Sequence, residues 1–109
     1  MSQVNTHPIA VTMDVVCGKW KAQILFQLLD GKMRYNQLQR TVTGISKKML
    51  TQQLRELEKD LLIKRVDYAE TPPKVEYSLT RYGRNLEATL RFMAKWGKEH
   101  KEIMEKSGA

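Results

Sequence analysis

The sequence predicts a mainly helical α+β fold, and three observations carry that expectation. Most of its apolar residues recur at spacings of three and four, as helices with one buried face require. Val75, Tyr77 and Leu79 instead alternate strictly, the period of a strand half-covered by a core. Between these runs stand Gly18, Asp30-Gly31, Thr43-Gly44-Ile45 and Pro72-Pro73, which end regular structure and turn the chain.

A polar arm ends near His7. Pro8 has a fixed φ and no N–H to satisfy, so it suits the first turn of a short helix that offers Val11, Val15 and Val16 for burial and stops at Gly18. From Lys19 to Asp30, the residues Trp20, Ile24, Leu25, Leu28 and Leu29 form one apolar stripe, so residues 8–30 read as N-terminal helices. Asn36 can cap a short helix through Val42 that buries Leu38 and Val42, with Tyr35 stapling its entry. After the glycine turn, Ser46 can cap a helix whose Leu50, Leu54, Leu57 and Leu61 line a second buried stripe. A strand from Ile63 to Tyr68, a loop from Glu70 to Lys74 stiffened by its two prolines, and the alternating run to Leu79 make a hairpin over residues 63–79. Thr80 can cap a last helix over residues 81–106, with Leu86, Leu90, Met93, Ile103 and Met104 as its apolar positions.

A chain of 109 residues has room for one domain with a modest core, so its fold and its function share one surface. Lysine and arginine number 19 against 12 acids, a net charge of +7. Residues 32–65 hold nine of those bases and only three acids, so the positive charge is concentrated in the middle third. Such a footprint suits a polyanion, because basic groups release the counterions condensed on phosphates. No run approaches the ~18 apolar residues of a membrane span, and the start lacks the sections of a signal peptide, so the expected compartment is the cytoplasm with no membrane partner. The lone Cys17 excludes an intrachain disulfide and a Cys-x-x-Cys metal knuckle. His7 and His100 lack partners at ligand spacing; neither a metal nor a cofactor is expected.

Residues 36–61 supply two helices joined by a short glycine-containing turn, and a hairpin comes directly after them. That is the order of a winged helix-turn-helix. With the leucine stripe turned inward, Ser46, Lys47, Lys48, Thr51, Gln52 and Arg55 fall on the outward face of the second helix. Arg55 can engage guanine through paired donors and Gln52 can engage adenine; Thr51 can touch a thymine methyl, and Lys47, Lys48 and Ser46 suit phosphates. On the hairpin, Lys64, Arg65 and Lys74 are placed to reach flanking phosphates or the minor groove. The same residues on an isolated helix would be an ordinary solvated face. Their arrival in order with the turn and the hairpin favours double-stranded DNA.

Three segments, Gly18-Lys19-Trp20-Lys21, Gly44-Ile45-Ser46-Lys47-Lys48-Met49-Leu50-Thr51-Gln52-Gln53-Leu54-Arg55-Glu56-Leu57 and Pro72-Pro73-Lys74-Val75-Glu76-Tyr77-Ser78-Leu79-Thr80, resemble the signature segments of HxlR-type regulators. The resemblance runs from about Pro8 to Gly97 and implies a bacterial-type homodimeric transcriptional regulator, with the helix opened by Ser46 in the major groove and the terminal helices forming the dimer. Leu86, Leu90, Met93 and Gly97 are the expected dimerisation positions, Gly97 allowing close approach, and the expected target is an inverted repeat. Several such regulators sense oxidants through a cysteine preceding a proline near the N-terminus. His7 stands at that place before Pro8, which leaves Cys17 as the one thiol for a redox role, against its ordinary reading as a small core residue.

Trp20 and Trp96 suit the core or a subunit contact; with Met13, Met93 and Phe92 they could instead line a pocket for a small-molecule effector. A winged-helix adaptor that binds an acidic protein rather than DNA is the alternative reading, since fold does not dictate function. RNA fits less well without closely spaced aromatics on which bases could stack. No serine-base-acid set, phosphate-cradling loop or catalytic carboxylate pair can be assembled, so an enzyme is not expected.

Overall fold

A computed structural model describes residues 6–108, so most of the polar arm ahead of His7 lies outside the described residues. The elements run α1 Pro8–Val16, α2 Lys21–Leu28, β1 Met33–Arg34, α3 Tyr35–Thr41, α4 Lys47–Lys59, β2 Ile63–Asp67, β3 Val75–Leu79, α5 Arg81–Arg84 and α6 Glu87–Lys106. This is the helical winged architecture that the sequence predicts.

Local chemistry sets most of the boundaries. His7 caps α1, its Nδ1 accepting the Ile9 N–H at 3.1 Å, and Pro8 takes the first turn. Gly18 turns the chain away at φ +92°, a left-handed conformation that disfavours a Cβ. Trp20 stands ahead of α2 in a non-helical conformation, so that helix starts at Lys21 rather than Lys19. Ser46 caps α4 as expected, accepting the Met49 N–H at 3.1 Å.

Other elements depart further from the expectation. Helix α3 starts at Tyr35, so Asn36 sits within its first turn instead of capping it, and the Gln37 side chain accepts the Arg34 N–H at 2.8 Å. Met33 and Arg34 form a strand that a two-residue run is too short to reveal by alternation. Leu61 does not extend the α4 stripe. The helix stops at Lys59, Leu61 adopts φ +67° and is 68% exposed, and Leu62 turns inward, its N–H donating to the Leu57 carbonyl at 3.0 Å.

The sheet has the order β1-β3-β2 and is antiparallel throughout, pairing Met33 with Tyr77 and Ile63 with Leu79. One core lies between it and the helices. Ile24, Leu25 and Leu28 of α2, Leu38 of α3, Leu50, Leu54 and Leu57 of α4, and Ile63 all lose essentially all contact with solvent there. Thr80 ties the sheet to α5: its hydroxyl donates to the Leu61 carbonyl at 2.6 Å and accepts the Gly83 N–H at 2.9 Å.

The single last helix expected over residues 81–106 is two helices. The one-turn α5 is held on the Leu61–Leu62 corner by Thr80 and by the close approach of Gly83 to the Leu62 backbone, whereas α6 must lie along α2. No straight helix meets both demands, and the chain breaks at Asn85 and Leu86 through bonds of three-residue span, Asn85 N–H to Tyr82 and Leu86 N–H to Gly83. The 20 residues of α6 then run ~30 Å, much of it beyond the core, and the molecule reaches 53 Å along its longest axis.

Candidate nucleic-acid interface

Helix α4 rests on Leu50, Leu54 and Leu57, which fixes its rotation and leaves Lys47, Lys48, Gln52 and Arg55 exposed on one side. With half-buried Thr51 and Glu56 they line one shallow depression of about 500 Å³. Ser46 is exposed at the helix start, but its hydroxyl oxygen is already engaged as the cap.

Tyr35 clamps the start of α4 from the preceding helix, a contact that sequence spacing does not reveal. Its hydroxyl donates to the Lys47 carbonyl at 2.8 Å and lies 2.9 Å from the Thr51 hydroxyl. The Thr51 hydroxyl is therefore tied to the α3–α4 junction rather than free for a ligand. A second unforeseen contact comes from α2. Lys21, only 9% exposed at the first residue of α2, places its ammonium 2.8 Å from Glu56 Oε1, while Gln52 Nε2 donates to Glu56 Oε2 at 3.2 Å. The bond from Lys21, followed by that from Gln52, holds the Glu56 carboxyl below the usual glutamate value.

This lowered value has a sign. Stability contributed by the ionised carboxylate is complete above the unfolded glutamate pKa and disappears as pH falls through the lowered folded value. In urea titrations below neutrality, Glu56→Gln should therefore show a smaller loss of midpoint on acidification than the parent. An unchanged acid dependence would count against a stabilising Lys21–Glu56 pair.

The hairpin residues separate. Arg65 shares a depression with Thr51, Arg55, Glu58 and Tyr77, so it continues the α4 surface onto the sheet, while its Nη2 lies 3.8 Å from Asp67 Oδ2. Lys64, one residue earlier on β2, belongs to the opposite face of the pleat. Lys74 is half-buried with its ammonium 4.5 Å from the centre of the Tyr68 ring. The Tyr68 hydroxyl donates to Glu76 at 2.7 Å, which holds that carboxyl below its usual value. Sequence reasoning placed Lys64, Arg65 and Lys74 together; among them the structure joins only Arg65 to α4. It adds a depression lined by Arg34 of β1 and by Asn36, Gln37 and Arg40 of α3; Arg34 and Arg40 counted in the basic total, and none of the four was singled out as a DNA contact.

The expected dimerisation residues also divide. Leu90 is buried in the core of its own chain and Leu86 is half-buried against that core, so both are committed within the monomer. Met93 is exposed, and Gly97 has nothing near its Cβ position. The open apolar stripe of α6 is Phe92, Trp96 and Ile103, respectively 66%, 59% and 61% exposed, with His100 stacked on Trp96 at a 4.9 Å ring separation. Ile9, Val11 and Met13 of α1 are exposed as well.

Trp20 packs against the core, whereas Trp96 does not. An open groove of about 290 Å³ between α2 and α6 is lined by Phe26, Leu90 and Met93 among others. Of the five residues considered for an effector pocket, only Met93 lines it. Cys17 is half-buried at the end of α1 and packs against the core. Among the described residues no helix is long and apolar enough to cross a membrane, and no group of three metal-ligating side chains converges.

Residues 15–105 match a family model described as HxlR-like helix-turn-helix. The uncharacterized HTH-type transcriptional regulator YdeP of Bacillus subtilis (strain 168) is 46% identical over 99 residues, which span 91% of this chain and 77% of that protein. YtcD, likewise an uncharacterized HTH-type transcriptional regulator of that organism, is 50% identical over 92 residues, spanning 84% of this chain and 73% of its own length. Among solved structures, the redox regulator HypR in its reduced form matches with a TM-score of 0.86 at 44% identity, covering 92% of this chain and 99% of that one.

Proposed function

This chain belongs to the HxlR-like helix-turn-helix family, and from that premise we propose that it binds a specific double-stranded operator as a homodimer. It is a transcriptional regulator with a helix-turn-helix DNA-binding domain, and a non-enzymatic role is part of the proposal. The observation that carries the proposal is the outward side of α4, where exposed Lys47, Lys48, Gln52 and Arg55 share one depression and Arg65 extends it. The helix is fixed in rotation by its leucines and at its start by Ser46 and Tyr35. Its polar side chains thus enter a major groove from a rigid support, and little ordering cost remains on binding.

Arg55 and Gln52 read base edges, Lys47 and Lys48 hold phosphates, and the exposed Arg40 of α3, with Arg34 just ahead of that helix, meets the backbone as the helix crosses it. Among the hairpin residues, Arg65 makes the principal contact. Lys64 and Lys74 contribute to the surrounding positive field. Such a regulator works in the cytoplasm, where bacterial DNA is accessible.

Selection of bound duplexes from a random pool tests this directly. Arg55→Ala should relax preference at particular bases and cost about 1 to 3 kcal/mol on the selected site, whereas Lys47→Ala should weaken all duplexes alike and lower the salt slope by about one. A double variant, Arg55→Ala with Gln52→Ala, that keeps the parent's sequence preference would refute the assignment.

The homodimer is supported by the unfilled stripe Phe92, Trp96 and Ile103, recurring at four and seven residues along α6, and by the exposed apolar residues of α1. Aromatic side chains of this size are costly to leave in water and are typical anchors of subunit contacts. A two-fold axis through these helices would set two copies of α4 about one helical turn apart, ~34 Å, on an inverted repeat.

A further inference from the structure

We infer that Lys21 and Glu56 are positioning residues that lock the polarity of the Gln52 side-chain amide, and thereby decide which strand of the operator must carry the adenine that Gln52 reads. The inference rests on the base-reading role proposed above for Gln52.

The geometry is a relay of three side chains. Lys21 is the first residue of α2 and is nearly enclosed by the fold. Its ammonium occupies Glu56 Oε1 at 2.8 Å, which leaves Oε2 directed at Gln52, one turn earlier on α4, at 3.2 Å. An ionised carboxylate can only accept hydrogen bonds. The amide end beside it must therefore be the NH2 group, because rotating the amide by half a turn would set two oxygens against each other at the same separation. Lys21 keeps the carboxylate pointed, so the constraint does not depend on the DNA.

The groups that the relay leaves over are specific. Gln52 retains one N–H and its Oε1, the donor and acceptor that match adenine N7 and N6 in the major groove. Since the donor end lies on the Glu56 side, adenine N7 must lie on that side also. A T·A pair presents the same groups in reversed order across the groove, and an amide free to rotate could match them. The locked one cannot. A pair that merely pinned α2 to α4 would affect stability and total affinity but would have no reason to distinguish A·T from T·A.

The test uses the full chain. Duplex selection with the parent and with Gln52→Ala identifies the base pair at which Gln52 acts. Competition binding then compares A·T with T·A at that pair for the parent, Glu56→Gln, Lys21→Met and Lys21→Arg. The parent should prefer A·T by roughly tenfold or more. Glu56→Gln should abolish or reverse the A·T preference, because Lys21 holds the carboxamide oxygen and leaves its NH2 group toward Gln52, which must then turn its acceptor end to that side. Preferences at the other selected positions should persist. Lys21→Met should lower the ratio too, and Lys21→Arg should restore it. Glu56 is half-exposed, so Glu56→Gln decides the matter even if Lys21→Met fails to fold. A Glu56→Gln protein with the parent's A·T preference overturns the relay while leaving Gln52 as a reader. A Gln52→Ala protein with no altered position overturns the reading itself, and the relay with it.

Discussion

Gly83→Ala should destabilise the protein by at least about 2 kcal/mol, a shift in melting temperature on the order of 10 °C for a domain of this size. A Cβ at this position would collide with the Leu62 carbonyl and crowd its Cα. The obstacle is backbone, and it cannot swing aside as a long side chain would. Leu62 is itself immobilised: it is buried, its carbonyl receives the Thr80 N–H at 3.0 Å, and its N–H is bonded to Leu57. Relief would require α5 to lift from the sheet, breaking the Thr80 cap and tilting α6 away from α2. Urea unfolding monitored by circular dichroism would measure the loss. A variant within about 0.5 kcal/mol of the parent would show that the α5–sheet contact can relax and that the fold does not depend on it.

Replacing Phe92 and Trp96 together by glutamate should turn the proposed dimer into a folded monomer and weaken operator binding by at least about a hundredfold. The magnitude comes from linkage: when two reading helices are joined, the second binding event is intramolecular, and avidity exceeds the single-site affinity by 10²–10⁴, roughly. Both side chains are solvent-exposed in the single chain, so the substitution leaves the monomer core intact. Sedimentation would report the oligomeric state, and titration of duplexes with one or both half-sites would separate lost linkage from lost contact. Half-site affinity should survive. A double variant that still sediments as a dimer, or a selected operator without inverted symmetry, would rule out this arrangement.

The sequence by itself determined the order of the elements from α1 to the hairpin apart from β1, the caps at Ser46 and Thr80, and the polar side of α4, because each rests on local rules. A serine ahead of an amphipathic run, or leucines at four-and-three spacing, act over one or two turns and need no distant partner. The family-specific segments added the dimeric regulator as an expectation. Tertiary structure decided everything that depends on which surfaces meet. The split of the last helix came from Gly83 seating on Leu62, a contact between residues far apart in sequence. The assignment of Leu90 to the core and of Phe92 and Trp96 to solvent came from the side of α6 that lies on α2. Along α6, apolar residues occupy more than one stripe, and spacing alone cannot say which stripe its own chain covers. The same holds for Lys21: an ordinary surface lysine by sequence, it is nearly enclosed and paired with Glu56 only because the fold brings the start of α2 within reach of α4. Hydrogen-bond caps are written in consecutive residues, whereas burial and ion pairing are set by the distance between elements, which only the folded chain fixes.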